Sequence, residues 1–238
     1  MALELVRERL VELACERGLS TVQVAQLASL LEMLEHDGRA PTSSAARTPE
    51  TAVDVHVADS LTALELAPVA KARTLTDLGS GAGLPGLVLA VALPEAEVRL
   101  LESQARKCAF IESAAERIGL PNARAVCARA EQWAAGTGVS DVVTARAVAA
   151  QPVVLEYAAP LLSLGGSLID WRGVRDPVEE LAADRAAELL GLQRVEIHST
   201  APFAGSRDHH LHVFAKVAPT PERFPRRAGM ARKRPLGR

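Results

Sequence analysis

Aromatic side chains are scarce, at 3% of 238 residues: four Phe, two Trp and one Tyr. Few flat faces are on offer for stacking unpaired bases, so any nucleic-acid contact must rest on charge and hydrogen bonding. Cysteine is nearly absent. Cys15, Cys108 and Cys127 form an odd set without C-x-x-C spacing, which excludes a disulfide framework and argues against a zinc site; they read as small core residues in a reducing compartment. No apolar run has the length needed to cross a bilayer, and the opening MALELVRERLVELACERG carries charge every few residues, unlike a signal peptide. A cytoplasmic protein without a membrane partner is expected. Net charge is also small, 27 basic against 29 acidic residues or −2 overall, so no uniform field draws a polyanion and only local basic clusters could.

What is present suffices for one sizeable core, with 48% hydrophobic residues. Helical stripes run over about Leu3–Arg17 and Thr21–Leu34. Residues His36–Glu50 (HDGRAPTSSAARTPE) have no periodicity and read as an exposed loop, followed by a helix over roughly Thr51–Leu66. From Thr74 short apolar runs alternate with helical stripes: TLTDLG, a helix Gly83–Ala92, VRLLES, a helix Ala105–Ile118, ARAVCA, DVVTARA, a helix Val153–Leu162, and GGSLIDWRG. This alternation predicts an α/β fold with a mostly parallel sheet. QRVEIHST and HHLHVFAKV follow one another without a helical stripe between them and should pair antiparallel at the sheet edge. The expected division is an N-terminal helical extension (1–70), a nucleoside-binding domain (71–218) and an extended basic tail (219–238).

The segment Asp77-Leu78-Gly79-Ser80-Gly81-Ala82-Gly83-Leu84-Pro85-Gly86 follows a strand and opens a helix, as a nucleotide-binding loop must. Gly81-x-Gly83-x-x-Gly86 also satisfies the dinucleotide fingerprint, so the glycines alone leave the ligand open. Asp77 before the first glycine and Glu102 at the end of the next strand favour a nucleoside with ribose hydroxyls. The D-x-G-x-G-x-G form favours S-adenosylmethionine over NAD, because a cationic sulfonium and ammonium prefer carboxylates where a pyrophosphate prefers a helix end. Arg146, inside the apolar run VVTARAVA, needs a partner, either a ligand or a structural carboxylate.

These residues resemble the RsmG (GidB) methyltransferases, in the blocks DLGSGAGLPGLVLA (Asp77–Ala90), LLESQARKCAFIE (Leu100–Glu112), RAE (Arg129–Glu131), ARAVA (Ala145–Ala149) and FPRRAGMARKRPL (Phe224–Leu236), with His56-x-x-Asp59-Ser60 upstream. The resemblance implies a Rossmann-like class I methyltransferase fold and transfer of methyl from S-adenosylmethionine to N7 of a guanine in 16S ribosomal RNA. It places the donor against Gly79, Leu84, Glu102, Ser103, Gln104, Ala130, Glu131 and Arg146, to which the loop reading adds Asp77, Gly81 and Gly83. Arg172, Arg226 and Arg227 are expected to meet RNA. The tail, with Arg223, Arg226, Arg227, Arg232, Lys233, Arg234 and Arg238 against Glu222 alone, is the basic cluster that the net charge conceals.

The chain departs from the family's pattern in three places. Residues 36–50 stand where the family carries W-N-x-x-x-N-L-T, Val55 replaces an arginine before the histidine, and Arg172 replaces a lysine. A changed or small-molecule acceptor, and a donor-binding protein without turnover, are therefore the alternative functions. Guanine N7 has a free lone pair and needs no base to deprotonate it, so no catalytic residue is assigned. Asp208-His209-His210-x-His212 does not read as a metal site, since strand alternation puts His209 opposite His210 and His212. His56 and Asp59, about one helical turn apart, read as either an acid–base pair or a structural contact. No metal is expected, and the chain is expected to act as a monomer on the small ribosomal subunit or its RNA.

Overall fold

The computed structural model describes residues 2–36 and 49–237. Residues 37–48 of the expected loop lie outside the described residues. Helices α1 (Ala2–Arg17) and α2 (Thr21–His36) open the chain. The helix expected over Thr51–Leu66 is a composite: α3 (Pro49–Ala52), a π-helical turn Val53–Ala58, α4 (Asp59–Leu61) and a 3₁₀ turn Thr62–Glu65, with α5 (Ala67–Ala70) after it. Beyond it run β1 (Thr74–Leu78), α6 (Gly86–Ala92), β2 (Glu97–Glu102), α7 (Ala105–Arg117), β3 (Ala123–Cys127), β4 (Ser140–Arg146), α8 (Gln151–Ala158), β5 (Leu162–Arg172), α9 (Pro177–Leu189), β6 (Leu192–Thr200), β7 (His209–Lys216) and α10 (Met230–Lys233).

The seven strands form one sheet in the order β3-β2-β1-β4-β5-β7-β6. The pairs from β3 to β5 are parallel, and β7 is antiparallel to both β5 and β6. The expected Rossmann-like architecture is thus present, with β7 inserted between β5 and the edge strand β6. Side chains alternate across the sheet. Leu75, Leu100, Val142 and Ile169 join a core formed with α1, α2, α6 and α7. Leu78, Leu101, Val143 and Leu168 join a second core with α8, α9 and the tail residues Phe224 and Ala231. The N-terminal helices share the first core with the sheet, and their glutamines fasten them: Gln23 donates to the Val91 carbonyl at 2.7 Å and Gln26 to that of Ile118 at 3.0 Å.

Three expectations require correction. Helix α9 is absent from the sequence reading because it buries only small residues, Ala183, Ala186 and Ala187, while Val178 and Leu181 stay exposed, so its apolar stripe is faint. Its start was nevertheless encoded: Asp176 accepts from the Val178 and Glu179 amides, with Pro177 in the first turn. The cysteines are not uniformly core residues, since only Cys108 is buried, its thiol pushed up to about 12 chiefly by burial, while Cys15 and Cys127 are exposed. The tail is not extended. Phe224 and Ala231 are buried, and Arg226 donates through Nε to Glu156 at 2.8 Å, a carboxylate whose side chain is 1% exposed. A buried acid left without its arginine is costly, about 3–5 kcal/mol, which explains why the tail folds back.

Between the second core and β7 lies a buried polar group. Gln151 donates to Asp170 and to His212 Nδ1, each at 3.0 Å, and Arg194 approaches the same ring nitrogen at 3.2 Å. With Nδ1 accepting, the proton sits on Nε2, a buried atom without a partner among the described residues. Burial, reinforced by Arg194, pushes His212 down to about 4, and burial lifts Asp170 to about 7 against the pull of Arg172 and Gln151. The signs oppose. Asp170 holds a proton in the native state that the unfolded chain releases above the ordinary carboxylate range, so its contribution falls as pH rises toward 7. His212 lacks a proton that the unfolded chain binds below about 6.5, so its contribution rises over nearly the same window. Relative to the parent, Asp170→Asn should make stability climb more steeply between pH 4 and 7, and His212→Asn should make it fall, by up to about 1.4 kcal/mol per pH unit; urea unfolding at closely spaced pH values checks both slopes.

Candidate donor and acceptor site

The sheet reverses its winding between β1 and β4, where the connections leave in opposite directions and a crevice opens at the strand ends. The glycine loop fills that position. Gly79, Gly81 and Gly83 have φ of 69°, 59° and 87°, values other residues adopt only with strain. Gly86 needs its missing side chain for a different reason: a Cβ there would stand 2.8 Å from Asp77 Oδ2 and 2.8 Å from Leu100.

Asp77 lies beneath the loop rather than in the crevice. It is 1% exposed, Oδ2 accepts from the Gly86 amide at 3.0 Å, and Oδ1 accepts from Thr144 on β4 at 2.9 Å. Burial raises its pKa, opposed by these hydrogen bonds. Its expected direct contact with the donor is therefore replaced by a supporting role, tying loop, α6 and β4 together. Glu102 is the carboxylate at the crevice floor. Its Oε2 accepts from the Gly81 amide at 3.1 Å, and its Oε1 from the Ser103 and Gln104 amides at 2.7 and 2.9 Å. Gly79, Ser103 and Gln104 are exposed around it and Leu84 is half-buried. Ala130 and Glu131 open a 3₁₀ turn just past β3 and are half-buried. The structure thus brings together Gly79, Gly81, Glu102, Ser103 and Gln104, while Gly83 and Asp77 sit behind them.

Arg146 closes β4 and binds structure, not open space. Its Nη1 donates to Asp59 at 2.8 Å, to Ser60 at 3.3 Å and to the Val55 carbonyl at 3.4 Å. Asp59 also meets His209 Nδ1 at 3.1 Å, so one carboxylate joins the N-terminal helices, β4 and β7. Burial, followed by the nearby Arg146 charge, pushes His56 down to about 4, which keeps it neutral at ordinary pH. His56 and Asp59 do not form an acid–base pair in this arrangement, for Asp59 turns to Arg146 and His209. His209 rests edge-on against Phe203, ring centroids 5.8 Å apart. Arg172 is engaged by Glu179 at 2.7 Å and by the Ala149 carbonyl at 3.1 Å. Among the described residues no group of three or more His, Cys, Asp or Glu could hold a metal ion.

Sequence reasoning missed the turn after β4. Ala147, a non-glycine residue at φ 57°, starts it, and Val148 lies where a Cβ on Gly79 would approach to 3.0 Å. Both belong to the ARAVA block, but nothing in small apolar residues announces a pocket wall.

The chemistry of the crevice is acidic. Glu102 already caps the loop amide that a pyrophosphate would seek, and its charge repels that group while suiting ribose hydroxyls and a cationic amino acid end. Fold and site together define an S-adenosylmethionine-dependent methyltransferase of the Rossmann-like class. The family model for GidB, rRNA small subunit methyltransferase G, matches residues 23–210, and the chain belongs to that family. Among its relatives, the ribosomal RNA small subunit methyltransferase G of Rubrobacter xylanophilus is 39% identical over 196 residues, 80% of this chain and 75% of that one. That of Synechococcus sp. (strain JA-2-3B'a(2-13)) is 36% identical over 228 residues, 92% and 87% of the two chains. Solved structures share the fold at lower identity. The 16S rRNA (adenine(1408)-N(1))-methyltransferase of Catenulisporales acidiphilia gives a TM-score of 0.52 at 21% identity, covering 65% of this chain and 90% of that one. Methanococcus jannaschii fibrillarin gives 0.52 at 18%, covering 64% and 70%.

As the carboxylate expected to meet the donor, Glu102 would add a charged hydrogen bond, worth about 1.5–3 kcal/mol or roughly 10- to 150-fold in affinity. Glu102→Ala should weaken S-adenosylmethionine binding by that order while leaving the far-UV spectrum unchanged; titration calorimetry measures it.

Proposed function

We propose that this chain transfers the methyl group of S-adenosylmethionine to N7 of a guanine in 16S ribosomal RNA, acting on the RNA or on the small subunit. The observation carrying this reading is the crevice floored by Glu102 and walled by the glycine loop, in a chain of the methyltransferase G family. The bound donor would supply an electrophilic methyl on a sulfonium. Gly79, Gly81, Glu102, Ser103 and Gln104 hold and orient it, and Asp77 keeps the loop in place from below. Guanine N7 presents its lone pair directly, so no residue has to remove a proton. The contribution left to the protein is alignment, which can lower the barrier by up to roughly 7–11 kcal/mol.

The acceptor side lies at the strand ends beyond Arg146, beside the β6–β7 loop with Phe203 and His209. Arg146, fixed by Asp59, supplies positive potential there without being free to swing, and Arg172 does likewise through its Glu179 pairing. Of the cations expected to meet RNA, Arg226 is committed to Glu156, whereas Arg227 is exposed, as are Arg223, Lys233 and Arg234. These four are the phosphate contacts in this reading. No helix among the described residues is long and apolar enough to cross a membrane, and a ribosomal RNA substrate implies the cytoplasm, with the chain acting as a monomer.

Nucleoside mass spectrometry of undermethylated small subunits, incubated with the protein and S-adenosylmethionine, should reveal new 7-methylguanosine in 16S RNA. Its absence despite donor binding would shift the reading to another acceptor. Arg146→Ala should cut turnover; unchanged donor affinity together with unchanged methyl transfer would remove Arg146 from the site. Replacing Arg223, Arg227, Lys233 and Arg234 by Gln should reduce the slope of log affinity for RNA against log salt by about 0.7 for each phosphate that is no longer neutralised. This set is preferable to deleting the tail, because deletion strips Phe224 from the core and orphans Glu156.

A further inference from the structure

The tail lies against the two segments that border the glycine loop. The Gly229 amide donates to Glu131 Oε1 at 3.1 Å, and Arg232 donates to the Val148 carbonyl at 3.1 Å. Glu131 belongs to the turn after β3, which is joined to the crevice floor by the Ala128 amide donating to the Glu102 carbonyl at 3.0 Å. Val148 packs on Gly79 from the other side. The tail therefore bridges the two banks of the crevice, one through a side-chain carboxylate and the other through a backbone carbonyl. Besides the burial of Phe224 and Ala231, an ion pair latches it there. Glu156, buried on α8, accepts from the Arg226 amide at 3.1 Å and from Nε at 2.8 Å, and also takes Nη2, which in turn donates to the Arg234 carbonyl at 2.8 Å. Arg226 thus fixes both ends of the segment that carries Gly229 and Arg232. Arg227 and Lys233 stay exposed on the same segment.

We propose that residues 224–234 are a positioning element of the donor crevice, latched by Arg226 to Glu156, so that docking of the tail and binding of the donor strengthen each other. The proposal rests on the methyl-donor reading of the crevice. The physical basis is that Glu131 and Val148 lie on separate connections, after β3 and after β4, and the tail fixes their separation across the loop. A donor seated between them meets walls already in place and loses less freedom on binding. Because coupling between two equilibria is reciprocal, whatever factor the docked tail adds to donor affinity, the donor must add to tail docking. Exposed Arg227 and Lys233 would also transmit contact with RNA phosphates to the same banks.

The test uses the full chain without RNA, so that phosphate contacts play no part. Arg232→Ala removes the bond to Val148, together with the contact to Tyr157, from an exposed position and leaves the latch intact. Arg226→Ala breaks the latch, and Arg226→Lys restores the charge without the fork. S-adenosylmethionine affinity is measured by calorimetry, and the rate of trypsin cleavage within 223–234 is measured with and without the donor. The proposal expects donor affinity to fall at least ~5-fold in Arg232→Ala and further in Arg226→Ala, with partial recovery in Arg226→Lys. It also expects the donor to slow tail cleavage in the parent protein, and the protection to shrink in the variants. Donor affinity within about twofold of the parent in folded Arg232→Ala, with tail cleavage indifferent to the donor, overturns it and leaves the tail a stabilising strap. Should the parent protein itself fail to bind S-adenosylmethionine, the donor reading fails, and the proposal with it.

Discussion

The carboxylate of Asp77 is the constraint on which the site depends. It ends β1, is sealed from solvent, and receives the first amide of α6 on one oxygen and the Thr144 hydroxyl on the other. A buried carboxylate survives only when both oxygens are satisfied, so the loop cannot drift without leaving it unpaired. Three glycines turn the chain above it, and Gly86 comes close enough to be bonded only because it has no Cβ. The crevice, the position of Glu102 beneath Gly81 and the entry of α6 follow from that arrangement.

Charged residues make up 24% of the chain, and a few of them, among them Asp59, Asp77, Glu102, Glu156 and Asp170, are buried. Arg146, Arg172 and Arg226 each pair with a buried or half-buried carboxylate, and Arg194 with the exposed Asp184 and the Glu180 carbonyl. Such arginines join elements distant in sequence: Arg146 links β4 to the N-terminal helices, and Arg226 links the tail to α8. The near-neutral total conceals a division of labour, because the cations that remain exposed on the tail are those without an internal carboxylate. With few aromatic residues available, phosphate recognition by these cations is the means of holding RNA that the composition leaves open.

Much of the fold was legible because strands and helices in a doubly wound sheet carry strong local periods. The runs TLTDLG, VRLLES and DVVTARA announced β1, β2 and β4, and the antiparallel pairing of β6 with β7 followed from the missing stripe between them. Helix α9 escaped because alanines bury it, leaving no contrast between its faces. The composite nature of residues 49–65 escaped as well, since the π-helical turn is fixed by packing and by the Asp59 contacts to β4 and β7, which have no local trace.

The sequence by itself determined the donor class: a glycine pattern after a strand, an acid at the end of the next one, and residues whose required backbone angles only glycine meets cheaply. Those are local demands, written in residue type and spacing. Tertiary structure alone decided which charges are available to a ligand. Asp77, Arg146 and Arg226 look alike in sequence to groups that touch a substrate, yet each is held by a partner between 67 and 87 residues away. Pairing over such distances depends on which strand lies beside which, and the energy of a charged side chain depends on what surrounds it after folding, which no neighbour in sequence specifies.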